Sequence, residues 1–281
     1  MEVLRSEHAG FCFGVGRASR MAERLLAAAG PPLVTIGPLM HNPQEVERLA
    51  RAGVRVVEHM ADCAGKRALV RTHGIGRAET EQARALGVEL IDATCPHVKT
   101  PRRRIVQLGR SSRTVVLVGD ASHPEVRAQV SYAGGPIRVL RSAAELADLP
   151  AETPLGVVAQ TTLDADHYAA VVDDLHRRFG DVQVFDTICR DAHQRQQAGR
   201  RLAARVDRMI VVGGRNSANT NHLTSICRQV QPRTIHIETE TELGALELGP
   251  ADRVGLTSGA STPEWLLDRV ERALRERGET V

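Results

Sequence analysis

The sequence predicts an α/β protein built from three similar small domains, and three observations carry that expectation. Short β-branched runs alternate with helix-forming stretches along the whole chain: LVTIG, ALVRTHG, VELIDATC, TVVLVGD, PLGVVAQTT, VQVFDTIC, RMIVVGG and RVGLTSG. That rhythm belongs to parallel strands joined by crossover helices. Three cysteines recur with a polar partner at an almost fixed interval: Cys12 to His41 (41−12=29), Cys95 to His123 (123−95=28) and Cys189 to Ser217 (217−189=28). Local wording also repeats. His41-Asn42-Pro43-Gln44-Glu45-Val46 resembles His123-Pro124-Glu125-Val126, and Asp92-Ala93-Thr94-Cys95 resembles Asp186-Thr187-Ile188-Cys189.

Each cysteine has a second polar residue further on, at the end of an expected strand: His73 (73−12=61), Thr161 (161−95=66) and Ser261 (261−189=72). A drifting interval is what loop insertions produce in diverged repeats. The first unit then spans 1–95, the second 96–188 and the third 189–281. Repeats of this length are whole domains rather than solenoid units, and the economical arrangement sets them around a pseudo-threefold axis. Open parallel sheets bind ligands beyond the carboxyl ends of their strands. The named residues stand at such ends, so the cysteines are expected to meet at the centre.

Composition narrows the function. The start, MEVLRSEHAG, lacks a basic region followed by an apolar run, and no stretch approaches the roughly 18–20 apolar residues of a membrane span. A cytoplasmic protein with no membrane partner is expected. Thirty-seven basic residues against 34 acidic ones leave a formal charge of +3, and aromatic residues are 2% of the chain. Neither the charge nor the scarce stacking material suits nucleic acid. Five cysteines with no export signal and no CxxC pair argue against a disulfide framework, a zinc ribbon or a thioredoxin-like motif. The string Gly10-x-x-x-Gly14-x-Gly16 has the wrong spacing for a dinucleotide fingerprint, and no clear strand precedes it.

Cys12, Cys95 and Cys189 carry the chemistry. Cys95 and Cys189 end strands and open helices, where amide donors favour thiolate. Iron-sulfur clusters usually take four thiolates; three leave one iron open, as a Lewis-acid cluster requires. Cys63 and Cys227 have no counterparts in the other units and read as core residues. Asn42 is an expected N-cap, with Pro43 at the first helical position and Glu45 three residues after the cap. His41 and His123 are thereby placed at helix starts, where amides favour a bound phosphate. His73 stands in a glycine-bearing loop. Hydroxyl and amide donors replace histidine in the third unit, in Gly213-Gly214-Arg215-Asn216-Ser217-Ala218-Asn219-Thr220 and in Thr257 to Pro263, with Pro263 expected as the first residue of the last helix. Glu125 could carry protons to a leaving hydroxyl that Thr161 orients.

These motifs together, in order and nearly end to end, resemble those of the 4-hydroxy-3-methylbut-2-enyl diphosphate reductases: GlyPheCysPheGlyValGlyArgAla, HisAsnProGlnGluVal, ArgThrHisGly, AspAlaThrCysPro, SerHisProGluVal, GlnThrThrLeu, ThrIleCys, GlyGlyArgAsnSerAlaAsnThr and GlyAlaSerThrProGluTrp. The resemblance implies a trefoil of three α/β domains around one 4Fe-4S cluster with three cysteine ligands and one open iron. It also implies reductive removal of the allylic hydroxyl in the last step of the non-mevalonate isoprenoid pathway. By position, Cys12, Cys95 and Cys189 match the cluster ligands. His41, His73, His123, Ser217, Asn219 and Ser261 match the diphosphate contacts, and Ala218 stands where some members have serine. Glu125 matches the proton-delivering acid and Thr161 the threonine near the substrate hydroxyl.

The chain departs from the family pattern at Phe13, Gly16, Ser122, the stretch after Cys95 and Arg190 to His193. Those departures motivate two further readings, a diverged paralogue reducing another small anion and a non-catalytic redox sensor. With no flavin or nicotinamide fingerprint, a ferredoxin or flavodoxin is the expected electron donor, and arginines at 102–104 and 200–201 are candidate docking charges.

Overall fold

The computed structural model describes residues 1–249 and 251–279. The chain begins with β1 (Glu2–Arg5), α1 (Phe13–Ala27), β2 (Leu33–Ile36), α2 (Pro43–Arg51), β3 (Arg55–Val57), β4 (Arg67–Val70), α3 (Arg77–Ala85) and β5 (Glu89–Asp92). It continues through α4 (Pro96–Gly109), β6 (Thr114–Val118), α5 (Pro124–Val130), β7 (Ile137–Leu140), β8 (Leu155–Ala159), α6 (Ala165–Arg178) and β9 (Val182–Val184). The last stretch holds α7 (Arg190–Ala203), β10 (Arg208–Val212), α8 (Ala218–Val230), β11 (Thr234–Ile237), β12 (Arg253–Ser258) and α9 (Glu264–Glu279).

Among the described residues three four-stranded sheets result, and every pairing in them is parallel. Their orders are β3-β2-β4-β5, β7-β6-β8-β9 and β11-β10-β12-β1. These are one topology three times over, as the repeat argument expects, except that the third sheet takes its fourth strand from the beginning of the chain. Val3 stands opposite Val254 in that pairing. Residues 2–5, placed by sequence in the unit 1–95, therefore complete the last sheet, and β1 is the strand that reading did not see ahead of the glycine string. The sequence EVLR is short and half charged, so nothing local marks it. The other strands absent from the sequence reading, β3, β7 and β11, are also sheet edges, where charged or polar residues such as Arg55, Arg138 and His236 replace the apolar run.

The chain divides into two compact units. One comprises residues 1–20, 40–53 and 191–281 and contains the sheet β11-β10-β12-β1. Ile210, Val212, Val254 and Leu256 pack on Leu266, Leu267, Val270 and Leu274 of α9. Met209 and Val211, on the opposite face, meet Leu202 and Ala203 of α7 and Leu223 and Cys227 of α8. The alternation follows from the two-residue period of a strand.

The other unit comprises residues 21–39 and 54–190 and contains the remaining two sheets. Val116 and Val118 pack toward Tyr168, Val171 and Leu175 of α6, and Val115 and Leu117 toward Ile105 and Leu108 of α4. At Gly156 a Cβ would lie 2.4 Å from Leu108 Cδ2, so only glycine lets α4 approach β8 this closely. Val34, Ile36, Ala68 and Val70 form a further core with Met60, Cys63 and Ala83. Strands buried on both faces read as continuous apolar runs, which is why the central strands are legible in the sequence. Among the described residues no helix is long and apolar enough to cross a membrane.

Candidate active site

The repeat extends to individual hydrogen bonds. Thr72, Thr161 and Ala260 each lie two residues beyond a strand, β4, β8 and β12 respectively (72−70, 161−159, 260−258). Each carbonyl accepts the N–H of a cysteine: Cys95 to Thr72 at 3.0 Å, Cys189 to Thr161 at 2.8 Å and Cys12 to Ala260 at 3.0 Å. Each cysteine directly precedes the first residue of a helix, α1, α4 or α7. The wording Asp-x-x-Cys also has a structural reason. Asp92 Oδ1 accepts Thr94 N–H at 2.9 Å, and Asp186 Oδ1 accepts Ile188 N–H at 3.1 Å. Both are side-chain turns that bend the chain out of its strand just before the cysteine.

The unit 21–39 and 54–190 contains Cys95, His73, His123, Glu125, Thr161 and Cys189. His73 lies in the loop after β4, where Gly74 takes a φ of +79° that other residues adopt only at a cost. Its ring meets that of His123 edge-on, with centroids 5.4 Å apart. His123 is itself the N-cap of α5 rather than the residue before the cap, and its Nδ1 accepts Glu125 N–H at 3.2 Å. An accepting Nδ1 leaves the proton of a neutral ring on Nε2, as a donor for an anion.

Glu125, 1% exposed, accepts from Thr161 N–H at 2.9 Å, Thr161 Oγ1 at 2.7 Å and Gln129 Nε2 at 3.0 Å. Burial pushes its pKa above the ordinary carboxylate range, and the neutral donors of Thr161 and Gln129 only partly oppose that rise. A raised pKa favours the protonated carboxyl that a general acid requires. Thr161 joins this acid through its side chain and N–H to Cys189 through its carbonyl. Asp120 N–H donates to Gln160 Oε1 at 2.9 Å, tying the histidine loop to the threonine loop.

The unit 1–20, 40–53 and 191–281 holds Cys12, His41, Ser217, Ala218, Asn219 and Ser261. Val15 N–H donates to Cys12 Sγ at 3.4 Å, a helix-start contact that favours thiolate. His41 precedes Asn42, the N-cap of α2, whose Oδ1 accepts Glu45 N–H at 2.9 Å. The His41 carbonyl would lie 2.7 Å from a Cβ at Gly214, so the glycine lets this loop and the 213–220 loop close on each other. Ser217 caps α8 by accepting Thr220 N–H at 3.2 Å, and Ala218 is the first helical residue. Asn219 Nδ2 is buried with no hydrogen-bond partner, an orphaned donor of the kind an anionic ligand satisfies. Ser261 follows β12. Helix α9 begins at Glu264, one residue later than Pro263, the expected first position.

The donor set fits an iron-sulfur cluster, with three thiols in equivalent settings at helix starts. Cys63 and Cys227 are fully buried in apolar cores. Burial raises the Cys63 pKa and pushes that of Cys227 up to about 12, far from the thiolate a metal needs.

Two residues were missed by sequence reasoning. Glu45, read as the acid of a capping box, is fully buried and accepts from Ser19 Oγ (2.9 Å), Arg48 Nε (2.8 Å), Arg48 Nη2 (2.7 Å) and Trp265 Nε1 (3.0 Å). It anchors the helix that follows His41. The i,i+3 spacing to Arg48 was the available signal. Arg195 of α7 is 3% exposed and donates from Nη1 to Ser258 O at 3.1 Å; nothing in the sequence marked it. Of the arginines considered for docking, Arg102 stacks over Tyr132 at 4.8 Å, Arg104 over Phe185 at 4.4 Å, and Arg201 pairs with Glu7 at 2.8 Å.

Residues 3–275 match the family model described as LytB protein. A 4-hydroxy-3-methylbut-2-enyl diphosphate reductase of Geobacter sulfurreducens is 45% identical over 276 residues, 98% of each chain. The enzyme of the same name from Geotalea uraniireducens is 43% identical, covering 96% of this chain and 95% of its own. A solved (E)-4-hydroxy-3-methyl-but-2-enyl diphosphate reductase, described as the terminal enzyme of the non-mevalonate pathway, superposes with a TM-score of 0.76 at 38% identity, covering 98% of this chain and 100% of that one. The Plasmodium falciparum reductase superposes with a TM-score of 0.87 at 26% identity, covering 97% and 87%.

Proposed function

The chain belongs to the LytB family, and from that premise we propose that it reduces 4-hydroxy-3-methylbut-2-enyl diphosphate to isopentenyl and dimethylallyl diphosphates, the closing step of the non-mevalonate route to isoprenoids. Two electrons and two protons enter; the allylic C–O bond breaks, one proton leaves with the hydroxyl as water, and the other bonds to carbon. Cys12, Cys95 and Cys189 would hold one 4Fe-4S cluster, leaving one iron open to the substrate. When bound, that cluster supplies electrons singly and a Lewis-acidic iron. The equivalence of the three cysteine hydrogen bonds supports this assignment.

The protein's own groups do the rest. His41, His73, His123, Ser217, Asn219, Ser261 and the helix start at Ala218 hold the diphosphate, with Nε2 of His123 and the orphaned Nδ2 of Asn219 as donors. Thr161 orients the substrate hydroxyl, and Glu125 delivers its proton. One observation carries the reading: a buried, neutral-leaning carboxyl hydrogen-bonded to Thr161, whose carbonyl in turn holds Cys189. A cytoplasmic ferredoxin or flavodoxin supplies the electrons.

The test is anaerobic reconstitution followed by assay with this substrate and a low-potential reductant. Both products should form. Cys12→Ser, Cys95→Ser and Cys189→Ser should each lose the cluster, while Cys63→Ala and Cys227→Ala keep it. An intact cluster that yields neither product would refute the function, and cluster loss confined to the Cys63 or Cys227 variants would refute the ligand set.

A further inference from the structure

Arginine is almost never fully buried without partners for its charge, yet Arg195 is 3% exposed and thinly partnered. Nη1 donates to Ser258 O at 3.1 Å, Nη2 lies 3.5 Å from Asp191 Oδ1, and Nε is buried with no partner. A guanidinium serving only to knit the fold would spend its five donors on carbonyls and carboxylates. Among the described residues, the charges that act on this cation include Asp191, Cys12 and Glu264.

The scaffold holds the two together. Ser258 O receives Arg195, and Ala260 O, two residues on, receives Cys12 N–H at 3.0 Å. Gly10 N–H donates to Ser258 Oγ at 2.8 Å, and Phe13 N–H to Asp191 Oδ2 at 3.3 Å. The residues flanking Cys12 are thus tied to the same strand end and the same carboxylate as the guanidinium. We propose that Arg195 is a positioning residue for electron transfer: a permanent positive charge, anchored to the same strand end and carboxylate as the Cys12 segment, that eases reduction of the cluster this cysteine binds. The inference rests on the ligand role of Cys12 given above.

A cluster held by three thiolates is already negative, and an added electron makes it more so. A buried cation in reach favours that electron, and a carboxylate beside the cation opposes it. Arg195 and Asp191 should therefore act with opposite signs, a pattern that a purely structural ion pair would not produce.

The experiment is a redox titration, followed by electron paramagnetic resonance, of the full-length reconstituted protein and its Arg195→Met, Arg195→Lys and Asp191→Asn variants, with iron content and circular dichroism measured on each. Arg195→Met should shift the reduction equilibrium at least tenfold toward the oxidised form, about 59 mV for one electron. Arg195→Lys should restore most of that shift, and Asp191→Asn should move the potential the other way. A fully loaded Arg195→Met protein within twofold of wild type would overturn the inference, as would shifts of the same sign in the Met and Asn variants. If Arg195→Met does not take up iron, Asp191→Asn decides alone, and the absence of a positive shift overturns the inference. An unchanged potential in a variant that still turns over removes only this inference; a Cys12→Ser protein with an intact cluster removes the reading beneath it.

Discussion

Glu45 and Glu125 occupy nearly the same local sequence and have opposite electrostatic fates. Each stands in the first turn of a helix opened by a proline and preceded by histidine, and each is buried, at 0% and 1% exposure. For Glu45, burial works to raise the pKa, but hydrogen bonds from Arg48, Trp265 and Ser19 outweigh it and hold the carboxylate below its usual range. For Glu125 burial wins, because Thr161 and Gln129 are neutral donors. Position on the helix does not decide whether a buried carboxyl has its pKa lowered or raised. A cation within hydrogen-bond reach does.

The largest effect that could break this comparison is catalytic. Glu125→Gln keeps the shape of the side chain but carries no acidic proton, so turnover should fall by roughly 10²–10⁴ with iron content unchanged. More than a tenth of wild-type turnover would show that the proton comes from elsewhere. Next is stability. Glu45→Ala leaves buried donors on Ser19 and Trp265 unsatisfied and strands Arg48, at a cost of about 2–3 kcal/mol, read from the urea midpoint.

The pH dependence of stability should differ in sign. With its pKa raised, the Glu125 contribution is intact below the ordinary glutamate pKa of 4.5 and declines as pH rises through the folded value. Wild type should therefore lose ground to Glu125→Gln on going from acid to neutral pH. With its pKa depressed, the Glu45 contribution is intact above 4.5 and is lost as pH falls through the folded value, so the gap between wild type and Glu45→Gln should close in acid. Parallel trends in the two variants would undo the comparison. The smallest effect is Arg48→Lys, which keeps the charge but not the two-pronged contact. It should cost about 0.5–1 kcal/mol and leave Glu45 ionised in an infrared or NMR titration.

Part of this contrast was written in the sequence. Arg48 follows Glu45 by three residues, and Ala128 stands at the same interval after Glu125. The central strands and the cap at Asn42 were legible for a similar reason. Apolar runs, capping residues and repeated spacings are local signals, and a threefold repeat shows each of them more than once. Tertiary structure alone decided the rest. Thr161 reaches Glu125 across 36 residues of sequence and Trp265 reaches Glu45 across 220, while β1 finds its partner β12 at the far end of the chain. A charge state depends on desolvation and on partners brought close by folding. An edge strand depends on which neighbour it meets. Neither quantity is a property of a local stretch of sequence, so the central strands and helix starts could be read along the chain, whereas the charge state of a buried group could be read only in the folded molecule.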